Sequence, residues 1–500
     1  MKAKRKPWVN WLLFFTTLVI VFLLGLLASS IVERRAEAVF VNKPVVKLAD
    51  YEPRNAEWGK NFPREFESYT RTSDTSFSTL YNGNTMVDML GEYPQLVVLW
   101  AGYAFSLDYN QGRGHYYAIH DMYHTLRTGA PTGPDDGPMP NTCWTCKSPD
   151  VPRVMNEVGV AAFYSGAWAS RGPEIVNPIG CADCHDPNTM DLRITRPALI
   201  EAWESTGRDI TRSTHQEMRS LVCAQCHVEY YFNKKFPVEG VNYLTFPWKD
   251  GTGPEAMLEY YDRMGFSDWT HAISKAPMLK AQHPDYEVFT TGIHFERGVA
   301  CADCHMPYHS EGGQKFTNHH MTSPLMYITS SCQVCHRESE ETLRNNVYDR
   351  QRKVAEIRGI AEELIVRAHV EAGLAWELGA GQAEMEDILY DIRVAQWYWD
   401  YVAASHGASF HSPVESSRTI GKSIDHAQQA RVALARLLAS YGQLDEVPYP
   451  DISTKEKAQA YIGAPMEKLK ADKAVFLETT VPAWLEEAAR REATYGQFED

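Results

Sequence analysis

Hydrophobic and polar residues fall into three textures along the chain. A basic head (Lys2, Lys4, Arg5, Lys6) precedes an apolar run from Trp8 to Leu27, and Ala36-Glu37-Ala38 follows. A basic start, an apolar run and a small-x-small site are the parts of an export signal, yet this run is also long enough to cross a bilayer. Residues 1–38 therefore read as a cleaved signal or a retained anchor, and both place the remainder outside the cytoplasm. Four cations at its head argue against a buried core helix. From about Val39 to Arg337 no period of two or 3.6 is sustained, and Gly and Pro punctuate the chain, as in Gly129-Ala130-Pro131-Thr132-Gly133-Pro134. This texture predicts loops and short helices organised around something other than a sheet. From Glu338 onward Leu343, Val347, Val354, Ile357, Ala361, Leu364 and Ala368 form an apolar helix stripe. Further helices are predicted from Glu384 to Ala404, from a Ser412-Pro413 start through Ile420 and His426 to Leu438, and as a last pair around Pro465 and Pro482. The stripe suits a subunit interface and intrachain packing equally.

Composition narrows the class. The 500 residues, 44% hydrophobic and 23% charged, describe an exported globule and exclude a disordered or polytopic membrane chain. A net charge of −15 leaves no basic surplus for a phosphate backbone, which excludes nucleic acid as a partner. Ten cysteines are too sparse for a disulfide scaffold, but they occur only as C-x-x-C pairs: Cys143/Cys146, Cys181/Cys184, Cys223/Cys226, Cys301/Cys304 and Cys332/Cys335.

Four of these pairs are followed at once by histidine, at His185, His227, His305 and His336. Chance would produce this with odds on the order of one in a hundred thousand. C-x-x-C-H attaches c-type haem: two thiols add to the vinyl groups and the adjacent imidazole becomes the proximal iron ligand. Zinc or disulfides would explain the pairs but not the fixed histidine. Two of the strings are identical (Cys181-Ala182-Asp183-Cys184-His185 and Cys301-Ala302-Asp303-Cys304-His305), which indicates one local device used twice. The fifth string, Cys143-Trp144-Thr145-Cys146-Lys147, puts lysine where the others have histidine, suggesting one reactive haem among four conducting ones. Fourteen histidines remain, enough for a second imidazole at each conducting iron. Those in Gly/Pro-rich loops or beside the strings (His115, His294, His319, His320, His411) are better candidates than His369 or His426, and spacing does not choose between His319 and His320.

The order C-x-x-C-K followed by four C-x-x-C-H resembles the pentahaem cytochrome c nitrite reductases, periplasmic ammonia-forming enzymes. Cys226-His227-Val228-Glu229-Tyr230-Tyr231 and Lys280-Ala281-Gln282-His283-Pro284 also match, and the resemblance covers residues 45–495. It implies a mainly α multihaem cytochrome with a loop-rich pentahaem region over 39–337 and a helical region over 338–500 that forms the interface of a homodimer. It implies five covalent haem c groups, one calcium ion, six-electron reduction of nitrite to ammonium, and a multihaem donor, either a membrane quinol dehydrogenase or a soluble cytochrome. Carried over by position, Lys147 is the proximal ligand of the catalytic haem, with Arg127, Tyr230 and His283 around the substrate. Distal partners would be His320 for the haem at His185, His115 for His227, His411 for His305 and His294 for His336. Glu229, Tyr230, Lys280 and Gln282 resemble a calcium site, the Tyr and Lys contributing main-chain carbonyls. The rivals are a multihaem electron carrier, in which all five irons would be six-coordinate, and a zinc or disulfide scaffold without haem.

Overall fold

The computed structural model describes residues 6–37, 44–81 and 83–495; Ala38, which completes the small-x-small site, lies outside them. Pro7–Glu37 is one helix. Its 26-residue stretch Pro7–Val32 has a mean hydropathy of 2.6 and buries nothing against the rest of the chain. At 1.5 Å per residue that stretch covers about 39 Å, more than the roughly 30 Å of a bilayer's hydrocarbon.

Between 44 and 337 the longest helix is Pro254–Met264, of 11 residues. Strands form only three two-stranded antiparallel ribbons among the described residues, Tyr231–Asn233 with Tyr243–Thr245, Trp269–Thr270 with Pro277–Met278, and Tyr308–Glu311 with Gln314–Thr317. The expectation of loops without a sheet holds, and it has a local cause. Turns that need glycine recur: Gly129 has φ 70° and an added Cβ would fall 2.6 Å from Pro138 Cδ, so this position is closed to side chains.

Beyond 338 three long helices, Glu340–Glu377, Gln382–Ala404 and Pro413–Ser440, pack against one another. Val354, Ala361 and Ala368 of the predicted stripe are buried, while Leu343, Val347, Ile357 and Leu364 are half-buried. The first of these helices runs through Gly373, where a Cβ would stand 2.7 Å from Ile273 Cγ2; the glycine permits close approach and does not stop the helix. Two expectations change. Pro413 does begin its helix, but Ser412 makes no capping bond, its hydroxyl donating instead to the Thr291 carbonyl at 3.3 Å. Of the predicted pair around Pro465 and Pro482, Pro465 does separate two helices, Lys455–Tyr461 and Met466–Glu492, but Pro482 lies inside the second and does not divide it. Pro482 faces solvent, where water can satisfy the carbonyl that its missing N–H leaves free.

That last helix returns to the first texture: Trp484 lies edge-on to Trp168 at 5.5 Å and Phe476 is 5.9 Å from the same ring. One hydrophobic core draws on both parts, for example Trp100 against Trp399 at 6.0 Å. The change of texture near residue 338 is therefore not a boundary between two cores.

Candidate functional site

Most C-x-x-C strings sit on or beside a single helical turn, such as Asn141–Trp144, Cys181–Cys184 and Cys301–His305, while Cys223 lies at the end of the ten-residue helix His215–Ala224; a helical turn puts residues i and i+3 on one side. None of the ten cysteines is in a disulfide. All ten line one continuous cavity of about 1990 Å³. A single small-ligand pocket measures about 300–1,000 Å³, so this space suits several large groups.

The twice-used string has a structural meaning. Asp183 caps its own turn by accepting the Gly180 N–H at 2.8 Å, and Asp303 accepts the Ala300 N–H at 2.8 Å. Each aspartate also receives an arginine, Arg196 at 2.5 Å and Arg219 at 2.9 Å. Arg196, 1% exposed, further donates to the Thr145 and Ser148 carbonyls at 2.6 and 2.8 Å. It thereby ties the lysine string to the second string. Gln225 of the third string donates to the Asp183 carbonyl at 2.9 Å, and Cys301 N–H donates to Ser220 Oγ at 3.1 Å, linking third to fourth. Cys146 lies beside Cys226, and Cys223 beside Cys301. No sequence signal singled out Arg196 or Arg219; an aspartate repeated inside two strings was the only hint.

Opposite the strings stand further imidazoles. Ring centres are 6.4 Å apart for His115 and His227, 6.3 Å for His305 and His411, 6.3 Å for His294 and His336, and 6.1 Å for His185 and His319. Two imidazoles bound to one ion by bonds of about 2 Å have centres about 6 Å apart, so each pair is spaced for a shared iron. Main-chain carbonyls hold Nδ1 of His185 (Met190, 2.9 Å), His305 (Thr322, 3.0 Å) and His319 (Thr317, 2.7 Å), which leaves Nε2 for a metal. Nδ1 of His115 and of His411 is buried without a partner. Burial holds His115, His185 and His411 down to about 4, keeping them neutral as ligands must be. These residues fit haem.

One expected partner is corrected. His319, and not His320, faces His185. The His320 ring is turned away, with Nδ1 2.7 Å from the Tyr327 hydroxyl and Nε2 3.5 Å from Asn84. Both of its nitrogens are occupied by protein, whereas His319 keeps one free.

Around the lysine string the same cavity is lined by Lys147, Arg127, Tyr230 and His283. The Tyr230 and His283 rings are 6.2 Å apart, and the Arg127 guanidinium lies 4.1 Å over Phe105. Burial, reinforced by the Lys147 charge, holds His283 well below its usual range, and its Nδ1 has no partner. Burial raises the Tyr230 phenol well above its ordinary value. Tyr103, Phe105 and His406, which the sequence did not single out, also line this space.

Beside it, Glu229 is buried, its carboxylate accepting the Gln282 N–H at 2.5 Å and the Tyr261 hydroxyl at 2.9 Å. Gln282 Nε2 reaches the Lys280 carbonyl at 3.1 Å, while the Lys280 ammonium is committed to Asp400 at 2.8 Å. Burial, with Glu287 and Asp268 nearby, pushes the Glu229 carboxyl well up. No three His, Cys, Asp or Glu residues form a metal cluster among the described residues. Glu229 with main-chain and amide oxygens is a hard-oxygen set that fits calcium.

The cytochrome c552 family model matches residues 54–493. The chain belongs to the cytochrome c552 family. Within that family it is similar to the cytochromes c-552 of Parabacteroides distasonis and of Bacteroides fragilis, each 57% identical over 489 residues and 98% of both chains. The cytochrome c-552 of Desulfotalea psychrophila is 49% identical, covering 93% of this chain and 92% of its own. Among solved structures the fold is similar to the cytochrome c nitrite reductase of Desulfovibrio desulfuricans, with a TM-score of 0.74 and 32% identity. The likeness covers 80% of this chain and 90% of that one, whose catalytic subunit is described with two calcium sites. The mainly α fold is thus a property of the family.

Proposed function

We propose that the chain is an exported nitrite reductase that carries nitrite to ammonium, with six electrons and eight protons, at the haem attached through Cys143 and Cys146. The observation that carries this reading is the contrast among the strings. Four have a second imidazole 6.1 to 6.4 Å from the first, while the lysine string has a guanidinium, a phenol and an imidazole around it.

Cys143, Cys146 and Lys147 would hold a haem that, when bound, supplies the nitrite-binding metal and the electrons. Arg127 then offers two-pronged donation and positive charge to the oxygens of the anion. His283, held neutral by burial, keeps one N–H to donate to the second oxygen. Tyr230, whose proton burial retains, donates as the N–O bonds break. The net charge of −15 does not oppose an anionic substrate, because Arg127, Lys280 and a bound calcium set the local field. Glu229 and Gln282 side chains with the Tyr230 and Lys280 carbonyls would hold that ion.

His185/His319, His227/His115, His305/His411 and His336/His294 would hold four conducting haems. The ties of Gln225 to Asp183, of Cys301 to Ser220 and of Arg196 to the Thr145 and Ser148 carbonyls bring the fourth, third, second and lysine strings together and support an electron path among them. The resemblance further supports a homodimer on the long helices and a multihaem donor, and the apolar Pro7–Val32 helix supports periplasmic export or tethering. Nitrite-dependent oxidation of a reduced dye, with ammonium quantified, is expected to return close to one ammonium per nitrite. Dye oxidation without ammonium overturns the reading, and unchanged turnover in Lys147→His removes the tuning role of the lysine.

A further inference from the structure

Arg127 sits in a single turn, Leu126–Thr128, between the helix Ala118–His124 and Gly129. One turn has no rigidity of its own, so the guanidinium is only as well placed as the groups that pin it. Those groups come from far along the chain. Asp108, 8% exposed, accepts the Leu126 N–H at 2.9 Å and the Thr125 hydroxyl at 3.1 Å. The same Thr125 oxygen accepts Arg127 Nε–H at 3.4 Å. From the other side Lys473 of the helix Met466–Glu492, 4% exposed, donates to the Tyr123 carbonyl and to Thr128 Oγ1, both at 3.1 Å. Lys473 and Thr128 are 345 positions apart.

We propose that Lys473, Asp108 and Thr125 are positioning residues for Arg127: a buried cation and a buried anion clamp the two ends of its turn, and the Thr125 hydroxyl passes that constraint to the guanidinium. A buried lysine is a poor choice for stability alone. Burial lowers Lys473 to about 8, with Asp108 opposing the shift, and an apolar side chain would fill the space without that penalty. What the ammonium adds is direction, since it reaches two acceptors on either side of Arg127 at once.

The proposal rests on the reading of Arg127 as the group that holds nitrite, and the test separates the two. In the haem-loaded protein, Thr125→Val keeps the side-chain shape and removes the hydroxyl. It is expected to raise both the KM for nitrite and the nitrite Kd, read from the Soret shift, about tenfold, with a smaller change in kcat. Thr125→Ser restores values close to wild type, and Lys473→Met shifts both constants in the same direction as Thr125→Val. In Arg127→Gln the Thr125→Val change adds nothing further. If Arg127→Gln alone leaves Kd and KM unchanged, the underlying reading fails. If Arg127→Gln weakens binding while Thr125→Val, with full haem content and unaltered melting, binds nitrite as wild type does, the positioning proposal fails, whatever the folding yield of Lys473→Met.

Discussion

The loop-rich residues 44–337 and the three helices between Glu340 and Ser440 bury themselves in opposite ways. In the helices interior backbone groups are satisfied by the helical ladder, and Ile365, Ile392 and Leu434, one from each helix, are all 0% exposed within one core. The loop-rich part has no helix longer than 11 residues, and its interior faces a cavity of about 1990 Å³ lined by thiols and imidazoles. Its backbone is held by side chains: Arg196 on two carbonyls and Asp183, Gln225 on Asp183, Arg219 on Asp303. One part is ordered by its own packing, the other by cross-ties around groups it must attach.

The largest effect should come from removing an attachment point. Cys181→Ala with Cys184→Ala is expected to cost one haem by pyridine haemochrome assay and to strip hydrogen-exchange protection from residues around the strings, leaving Gln382–Ala404 and Pro413–Ser440 protected. Equal loss of protection in both parts would break the comparison.

Next in size are the cross-ties. Arg196→Met strands Asp183 and two carbonyls in the interior and is expected to cost about 3–5 kcal/mol in thermal or denaturant unfolding. Arg219→Met should cost less, because its partner Asp303 is 33% exposed. Equal costs would mean that burial is not what gives the tie its strength.

The smallest effect sharpens the helical side. His271 and His369 stack at 3.6 Å, both 0% exposed, with His369 bonded to Ser274 and to the Gln396 oxygen at 2.8 and 2.7 Å. Burial lowers His369 to about 4 and, with the neighbouring His369, holds His271 well below its usual range. The unfolded chain takes up protons near pH 6.5 that the folded chain refuses, so this contribution is complete above about pH 6.5 and is lost as pH falls toward 4. For His369 the loss by pH 4 is on the order of 3 kcal/mol. His369→Gln should flatten the acid limb of a pH–stability curve; an unchanged slope would remove the histidine from that account.

Much of the site was legible because covalent attachment leaves a local signature. Two cysteines three apart with an adjacent histidine or lysine can be recognised without knowing where anything else lies. The long helices were legible for a similar reason, since periodicity is local. Ser412 shows the limit: a correct helix start came with a capping bond that tertiary contact diverts to Thr291. His319 and His320 show it again. Neighbours in sequence, they point to opposite environments, and only the positions of Tyr327, Asn84 and His185 distinguish them.

The sequence by itself therefore determined the number of attachment strings, the odd one among them, the helical texture beyond residue 338 and the family. Tertiary structure alone decided that His319 and not His320 faces His185, which strings are tied together, and that Arg196 and Lys473 secure turns far from them in the chain. The physical reason is range. Attachment motifs and helix periods are written within a few residues, whereas a distal ligand or a clamp depends on a meeting of side chains that loop-rich chain leaves unspecified until the fold closes.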